Sequence, residues 1–241
     1  MSDTDPQEQL LAVQGHDTRI TQLRTRRQTL PERTEAVEVA EADRAKEQRL
    51  GVVDAERHRL DREQKRIDDE VVGLKEKSDH ADKALYSGSV TGARELQSLQ
   101  EEIASLMRRV GVLEDEELEM MVEREPLDEE AAILGEERAA LAARAEDVAG
   151  RITVAEAEID AELDSEAAAR SAAAAVVPAD LLAEYEGLRA DLDGVGVARL
   201  ERGHTCGGCH MKLSAVEVSR IKGLPADARI HCEDCGRILV R

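Results

Sequence analysis

Residues 85–96 read LYSGSVTGAREL and lie between two long runs of regularly spaced apolar residues. Gly88 and Gly92 interrupt the helical pattern here, and Thr91 or Gly92 can cap a new helix. A turn this short returns the chain antiparallel to itself. The sequence therefore predicts a helical hairpin whose tip contains Tyr86, Gly88 and Gly92. A parallel dimer of one continuous helix is the alternative, which the two glycines disfavour.

The two flanking runs repeat apolar residues in alternating steps of three and four, which is typical of a coiled-coil seam. The run before the tip consists of Leu50, Val53, Arg57, Leu60, Gln64, Ile67, Val71, Leu74, Ser78, Ala81 and Leu85. The run after it consists of Leu96, Leu99, Ile103, Leu106, Val110, Leu113, Glu117, Met120, Arg124, Leu127, Ala131, Leu134, Arg138, Leu141, Ala145, Val148, Ile152, Ala155 and Ile159. We interpret the charged seam residues as register-setting or snorkelling side chains, with catalytic carboxylates as the alternative.

Prolines mark the ends of these helices. Pro31 should break the first long helix and leave a shorter one over about residues 7–29, because proline cannot donate a helical hydrogen bond. Pro126 lies inside the second seam and is expected to kink it, and Pro178 should end that helix. The segment ADLLAEYEGLRADL, residues 179–192, reads as one further short amphipathic helix.

Composition also favours long helices over an ordinary globular core. The chain of 241 residues has no Phe or Trp and two Tyr, while 36% of its residues are charged. Its net charge of −20 disfavours nonspecific binding to nucleic acid or to an anionic membrane. The N-terminus lacks the positive region of a signal peptide, and the longest apolar run, AAAAVV, is far too short to span a membrane. We therefore expect a cytoplasmic protein.

All four cysteines of the chain fall in two Cys-x-x-Cys pairs separated by twenty-two residues: Cys206 with Cys209, and Cys232 with Cys235. Two such turns can present four sulfurs to one tetrahedral ion, which matches structural zinc. Glycines at 207, 208 and 236 are expected to relieve the strain of the turns. Redox-active thiols are the alternative, but they would need only one pair. His204, His210 and His231 flank the cysteines and are interpreted as surface or outer residues, because four sulfurs already complete the metal's coordination.

The surrounding segments complete the pattern of a zinc ribbon. The stretches VGVARLERGH before the first pair and RILV after the second read as strands, and a Ser214–Glu217 capping box predicts a short helix between the pairs. The predicted fold is thus mainly α: a long antiparallel coiled-coil hairpin with a small C-terminal β zinc-ribbon domain. The predicted division is a hairpin over 1–177, with its turn near 86–92 and a break near 31, a connecting helix over 178–194, and the ribbon over 195–241.

The ribbon carries a slight excess of basic residues, whereas the rest of the chain is strongly acidic. Six basic residues are candidates for contact with nucleic acid or a partner: Arg202, Lys212, Arg220, Lys222, Arg229 and Arg237. Their excess is small, and the ribbon lacks the aromatic side chains on which bases commonly stack.

The chain resembles a bacterial family of coiled-coil hairpin proteins that end in a four-cysteine zinc ribbon. The resemblance rests on LYSGSVTGARELQSLQEEI at the tip, VPADLLAEYEGLR before the ribbon, and CGGCHMKLS with ARIHCEDCGRILV in it. At the tip, that family often has Asn-Pro where this chain has Gly92 and Ala93. The resemblance implies one structural Zn²⁺ held by the four cysteines. It also implies an adaptor or regulator, since relatives associate with an alternative sigma factor, with secretion or flagellar components, or with messenger RNA.

These observations predict a non-catalytic adaptor whose arm and ribbon dock protein partners of unknown identity. The alternative is a regulator that binds RNA or DNA through the basic face of the ribbon. An enzyme is disfavoured, because the sequence has no phosphate-binding loop and no nucleophile beside a base. The protein is expected to be a monomer or a homodimer without membrane contact.

Overall fold

The computed structural model describes residues 5–225 and 227–241, and within them it contains five helices and three short strands. The helices are α1 (Pro6–Gln28), α2 (Pro31–Tyr86), α3 (Ala93–Ala174), α4 (Ala179–Asp191) and α5 (Ala215–Gly223). The strands are β1 (Val197–Glu201), β2 (Thr205–Cys206) and β3 (Ile238–Val240). In this described part of the chain, no helix combines the length and the apolar character needed to cross a membrane.

The chain forms two compact units, and the first of them, Glu35–Val148, is an antiparallel helical hairpin. Ion pairs between α2 and α3 define its direction, because the partner's number falls along α3 as the residue number rises along α2. Glu35 pairs with Arg144, Arg49 with Glu130, and Lys75 with Glu114. The predicted hairpin is confirmed, and a single continuous helix is excluded.

The predicted seam is the face that the hairpin buries. All seam positions predicted in α2 are buried or half-buried, and so are those in α3 except Ala145. Four of them, Ile67, Val71, Val110 and Leu113, form one apolar cluster. Leucine, isoleucine and valine at these spacings therefore provide the cohesion between α2 and α3.

The charged seam residues are paired across the hairpin. Arg57 donates to Asp128 at 2.6 Å, Arg124 to Asp61 at 2.5 Å, and Arg138 to Asp43 at 2.8 Å. Gln64 donates to Glu117 at 3.3 Å. These pairs fit a register-setting role, because a shift of either helix would separate each charge from its partner.

The hairpin tip follows the glycines. Helix α2 ends at Tyr86 and α3 begins at Ala93. Gly88 has a positive φ of 72°, a conformation that favours glycine. The carbonyl of Gly92 accepts hydrogen bonds from the backbone N–H groups of Glu95 and Leu96, both at 3.0 Å, so Gly92 is the residue that starts α3.

The second unit comprises the described residues of Met1–Thr34 together with Ala149–Arg241. It contains α1, the C-terminal part of α3, α4 and the whole ribbon. The carboxylate of Asp5 caps α1 by accepting from the N–H of Gln7 at 3.0 Å, and Pro6 occupies the first turn, where its missing donor costs nothing. Helix α1 ends at Gln28, and α2 begins at the helix-breaking Pro31.

An apolar cluster joins the ribbon to the helices of this unit. It contains side chains from α1, the turn between α3 and α4, α4, β1 and β3: Leu10, Val13, Val177, Leu181, Tyr185, Val197, Ile238 and Val240. The ribbon and the short helices α1 and α4 thus belong to one compact unit of the structure. The division predicted from the sequence places them in three separate regions.

The ribbon has a three-stranded sheet in the order β2-β1-β3. Strand β1 pairs antiparallel with β2, with Leu200 opposite Cys206, and parallel with β3, with Ala198 opposite Leu239. Helix α5 begins after Ser214, whose hydroxyl accepts from the N–H of Glu217 at 3.1 Å, which is one half of the predicted capping box. The other half is not formed, because the N–H of Ser214 donates to Glu233 at 3.2 Å rather than to Glu217. The ribbon's own core is small and includes Cys206 and Cys232 among its buried residues.

Candidate metal centre and its mounting

The four cysteine sulfurs converge on one point. The described residues hold a single group of potential metal ligands with this density, in which the Sγ atoms of Cys206, Cys209, Cys232 and Cys235 all lie within 4.8 Å of one another. The sulfurs of Cys206 and Cys235 are 3.9 Å apart, and those of Cys209 and Cys232 are 3.8 Å apart. A disulfide would need about 2.05 Å, so these are separate thiols.

The spacing fits zinc. Four sulfurs about 2.3 Å from one ion at the corners of a tetrahedron lie about 3.8 Å apart, close to the observed separations. The four cysteines are the residues that would hold the ion. Zn²⁺ bound by four thiolates acts as a structural cross-link, because no coordination position is left for water or a substrate.

The two Cys-x-x-Cys turns, which we call knuckles, have the same backbone geometry. In each, the residue after the second cysteine donates its N–H to the carbonyl of the first cysteine: His210 to Cys206 and Gly236 to Cys232, both at 2.8 Å. That residue also has a positive φ, 62° at His210 and 73° at Gly236. The first knuckle thus places a histidine where the second has glycine.

This geometry corrects the expectation for the first knuckle. Gly236 does relieve a left-handed turn, but Gly207 and Gly208 have no positive φ. Their lack of a side chain permits close packing instead. A Cβ on Gly207 would lie 3.0 Å from the carbonyl oxygen of Arg199, and one on Gly208 would lie 2.6 Å from the Cδ of Arg237. The chain needs glycine there because β1 and the end of the second knuckle approach the turn.

Burial and hydrogen bonding give the thiols different acidities. Burial raises the pKa of the Cys232 thiol to about 12. Burial also disfavours the Cys235 thiolate, but the backbone N–H and guanidinium of Arg237 outweigh it and lower the pKa of Cys235 to about 7. The cluster therefore needs a cation to hold all of its sulfurs as thiolates, which is consistent with a metal site.

The three flanking histidines lie outside this group of sulfurs. The ring of His204 contacts the carbonyl of Arg202, His210 is exposed, and His231 contacts a carboxylate oxygen of Glu184 on α4 at 2.6 Å. His231 thus connects the second knuckle to α4.

Three of the six candidate basic residues are used within the protein. Arg237 donates to the carbonyl oxygens of Val195 at 2.8 Å and Leu192 at 3.1 Å. Arg229 forms ion pairs with Asp180 and Glu184 of α4.

Arg220 binds Glu217 one turn earlier in α5. Arg202, Lys212 and Lys222 form no ion pair with the residues that the structure describes. The basic surface available to a nucleic acid is therefore smaller than the sequence suggests.

A polar cluster that sequence reasoning missed surrounds the buried carboxylate of Asp17. Asp17 of α1 is 3% exposed and accepts from the hydroxyl of Tyr185 at 2.7 Å. Arg170 of α3 donates to the same carboxylate at 3.0 and 3.2 Å, and Arg189 of α4 lies 3.2 Å from it. We call these four residues the Asp17 cluster. It ties α1, α3 and α4 together around one buried charge.

Glutamines of α1 extend this connection to the ribbon backbone. The side chain of Gln14 accepts from the N–H of Gly196 at 2.9 Å and donates to the carbonyl of Gly194 at 3.0 Å. Gln7 donates to the carbonyl of Ala228 at 3.1 Å. The metal-bearing ribbon is thus anchored on α1 by hydrogen bonds as well as by apolar packing.

An antiparallel helical hairpin followed by a four-cysteine ribbon defines a class of zinc proteins, and comparison with known proteins identifies the family. The chain belongs to the CT398-like coiled coil hairpin domain family, whose model matches residues 13–193. A C4-type zinc ribbon domain matches residues 205–239, which contain all four cysteines. The resemblance seen in the sequence is confirmed, and the protein has one structural Zn²⁺.

Relatives of this chain occur in other bacteria. An uncharacterized protein of Mycobacterium tuberculosis is 32% identical over 237 residues, which cover 98% of this chain and 95% of the relative. An uncharacterized protein of Mycobacterium leprae is 30% identical over 175 residues, covering 71% of this chain and 73% of the relative.

Solved structures show the same fold. A structure from Mycobacterium smegmatis has a TM-score of 0.90 at 25% identity and covers 98% of this chain and 97% of that one. CT398 from Chlamydia trachomatis has a TM-score of 0.71 at 18% identity, with 98% and 97% covered. The HP0958 protein from Helicobacter pylori has a TM-score of 0.53 at 18% identity, with 100% and 98% covered. The last two comparisons establish the fold alone, and neither matched domain is a catalytic family.

Proposed function

We propose that the protein is a non-catalytic adaptor in which the helical hairpin and the zinc ribbon each dock partner proteins. The observation that carries this proposal is the anchoring of the ribbon on α1 and α4. Buried apolar packing, the Gln14 hydrogen bonds and the nearby Asp17 cluster hold a small metal-bound domain on a helical base. Such anchoring suits a display surface better than it suits a domain that must move during a reaction.

The chemistry of the metal supports a binding role. Four thiolates fill the tetrahedral coordination of zinc, so the ion stabilises the ribbon but offers no position for a substrate. The ribbon surface also exposes large apolar side chains. Val216 in the first turn of α5 is 81% exposed, and Met211 after the first knuckle is 54% exposed. Exposed apolar side chains on a rigid surface are typical contacts for a protein partner.

Site-specific crosslinking of the full-length, zinc-loaded protein tests this proposal. A photoreactive amino acid at position 216 should give a discrete protein adduct in the native host, and Met211→Ser should reduce its yield. Val154 is 60% exposed on α3 and provides a matched control position outside the ribbon. Adducts at 216 that do not differ from those at 154 would contradict docking through the ribbon.

The nucleic-acid alternative has a separate test. Arg202, Lys212 and Lys222 are the candidate basic residues without an ion pair in the described structure. If they bind RNA or DNA, labelled oligonucleotides should bind the full-length protein at low salt. Binding should weaken steeply as salt rises, and Lys212→Ala and Lys222→Ala should reduce that salt dependence. A saturable interaction of this kind, with no protein adduct at 216, would favour the alternative.

A further inference from the structure

Three large apolar side chains lie together on the surface of the hairpin. Leu118, Met121 and Val122 of α3 are 60%, 54% and 70% exposed. Their spacing of three and four residues places them on one face of the helix. This face is not the seam, which passes through Glu117, Met120 and other half-buried residues. We call the three exposed residues the apolar patch. These three side chains are therefore not used for packing between the two helices of the hairpin.

The apolar patch borders a groove. Together with Gln64 of α2 and the polar residues Arg124, Glu125 and Asp128 of α3, it lines a surface cavity of about 700 Å³. Asp128 and Arg124 each form an ion pair with a residue of α2, and these ion pairs fix one wall of the groove. The groove therefore has an apolar floor on one helix and a fixed polar rim.

Carboxylates surround the patch. From Glu114 to Glu130 the sequence contains ten acidic residues and one arginine. Asp115 precedes Leu118 by three residues, and Glu125 follows Val122 by three, so a carboxylate lies one turn away on either side. Asp115, Glu119, Glu125 and Glu129 are exposed and form no ion pair or hydrogen bond with residues that the structure describes. We call these four residues the acidic collar. Their charge is free to interact with a partner.

A backbone acceptor adds to this surface. Pro126 lies inside α3 and has no N–H, so the carbonyl of Val122 lacks the donor that it would have in a regular helix. A carbonyl without its regular helical donor beside the apolar patch favours a partner that brings a hydrogen-bond donor. Lysine and arginine side chains supply such donors together with positive charge.

We propose that the apolar patch and its acidic collar form a docking site for a basic amphipathic helix of a partner protein. Apolar anchors at helical spacing would enter the groove, and flanking lysines or arginines would meet the collar, as in helix-in-groove recognition. The charge of the surface selects this occupant: a second copy would oppose two acidic collars, and nucleic acid would be repelled. This inference rests on the proposed adaptor function and names the partner class for the hairpin.

A synthetic peptide tests the site directly. The probe is a fluorescent helical peptide of about 20 residues, long enough to cover several turns, with leucines on one face, lysines on the other and a photoreactive group beside the leucines. Binding to the full-length, zinc-loaded protein is measured by anisotropy. The double variant Leu118→Ser, Met121→Ser should bind about tenfold more weakly, because anchors of this size contribute most of the contact.

Matched controls separate the patch from general attraction to an acidic protein. Val52 of α2 is also 60% exposed, but its groove is lined by Arg49, Arg59 and Arg62, so Val52→Ser should leave binding unchanged. A peptide of identical composition with its leucines dispersed around the helix should bind at least about tenfold more weakly than the probe.

Neutralising two collar residues, Glu119→Gln and Glu125→Gln, should reduce the salt dependence of binding, because fewer charges face the peptide. Crosslinks should map to residues 114–129. Circular dichroism of every variant should match wild type, since the substituted side chains are exposed.

Several results would overturn the inference. Equal binding of the Leu118→Ser, Met121→Ser variant and the wild type would show that attraction is electrostatic alone. Crosslinks confined to other residues would place the site elsewhere. A wild-type dimer in sedimentation that this variant dissociates would assign the patch to a second copy, and RNA that protects residues 114–129 would assign it to nucleic acid. None of these outcomes depends on adducts at Val216, so failure here and failure of ribbon docking are distinguishable.

Discussion

Replacing Tyr185 with phenylalanine tests whether the Asp17 cluster holds the ribbon on its helical base. The ring of Tyr185 is fully buried in the apolar cluster that joins α1, α4 and the sheet, so phenylalanine keeps its packing. The substitution removes only the hydroxyl that donates to Asp17 at 2.7 Å. A hydrogen bond to a charged group contributes about 1.5–3 kcal/mol. Because Arg170 and Arg189 still neutralise Asp17, we expect a loss of about 2 kcal/mol.

The chain offers a matched control, since its other tyrosine is at the hairpin tip. Tyr86 is 79% exposed, so Tyr86→Phe should change the free energy of unfolding by less than about 0.5 kcal/mol. Hydrogen exchange on the zinc-loaded protein localises the effect. The amides of α1, α4 and β1 should exchange faster in Tyr185→Phe than in the wild type, and at the wild-type rate in Tyr86→Phe. Equal exchange in both variants would show that the arginines alone satisfy Asp17, and the argument for the cluster would fail.

The same hydroxyl predicts a response to alkaline pH. Burial, followed by the hydrogen bond to Asp17, raises the pKa of Tyr185 above its usual value. A raised pKa in the folded state means that the contribution of Tyr185 to stability is complete below about pH 10 and is lost as the pH rises through the folded-state pKa. In the Tyr86→Phe variant, Tyr185 is the remaining tyrosine. Tyrosinate absorption in this variant should therefore appear only at the pH at which the unit formed by α1, α4 and the ribbon unfolds.

Other predictions concern the metal and the hairpin. Cys235→Ser should abolish stoichiometric zinc in elemental analysis and make residues 195–241 sensitive to protease, whereas His204→Ala should retain the metal, because its ring contacts only a backbone carbonyl. Gly236→Val should destabilise the ribbon by at least about 1 kcal/mol in zinc-competition assays, because its φ is 73°. His210→Gly at the equivalent position should be tolerated, and equal losses in both would contradict the strain argument. Asp128→Ala should lower the thermal midpoint of the hairpin measured by circular dichroism, since Arg57 and Arg124 both bind this carboxylate, while Glu129→Ala should not.

The hairpin and the ribbon could be predicted because their signals are local. A seam repeats every three or four residues, and its interruptions are visible as charges, so the buried face of each helix and the place of Arg57, Arg124 and Arg138 on it follow from spacing. Four cysteines at ribbon spacing define a metal site without any knowledge of the rest of the chain. The seam residues lie within a few helical turns of one another. The four cysteines have few possible roles at this spacing other than binding a metal.

The anchoring of the ribbon could not be predicted in the same way, because polar residues far apart in sequence produce it. Gln14 and Gly196 are 182 residues apart, and no periodic pattern connects them. One signal was available. Asp17 lies between Val13 and Ile20 at seam spacing, so it occupies a buried position of α1 and requires a partner. Sequence spacing does not identify that partner as Tyr185.

The first knuckle shows a different limit of prediction from sequence. Glycines in a turn suggest backbone freedom, and Gly236 uses that freedom, but Gly207 and Gly208 are instead required by neighbours that approach within 3.0 Å of where a side chain would begin. These neighbours come from β1 and from Arg237, and only the folded ribbon places them there. Sequence reasoning identified the residues but assigned the wrong reason to two of them.

The contact between the first helix and the last domain has a consequence for biosynthesis. Gln7 reaches a carbonyl 221 residues further along the chain, so α1 leaves the ribosome long before its partner exists. At about 5–20 residues per second, the apolar face of α1 waits roughly 10 to 40 s for the ribbon to emerge. The packing of α1 against the ribbon is therefore completed only after the ribbon has been synthesised. Zinc capture by the four cysteines then becomes the step that allows this long-range contact to form.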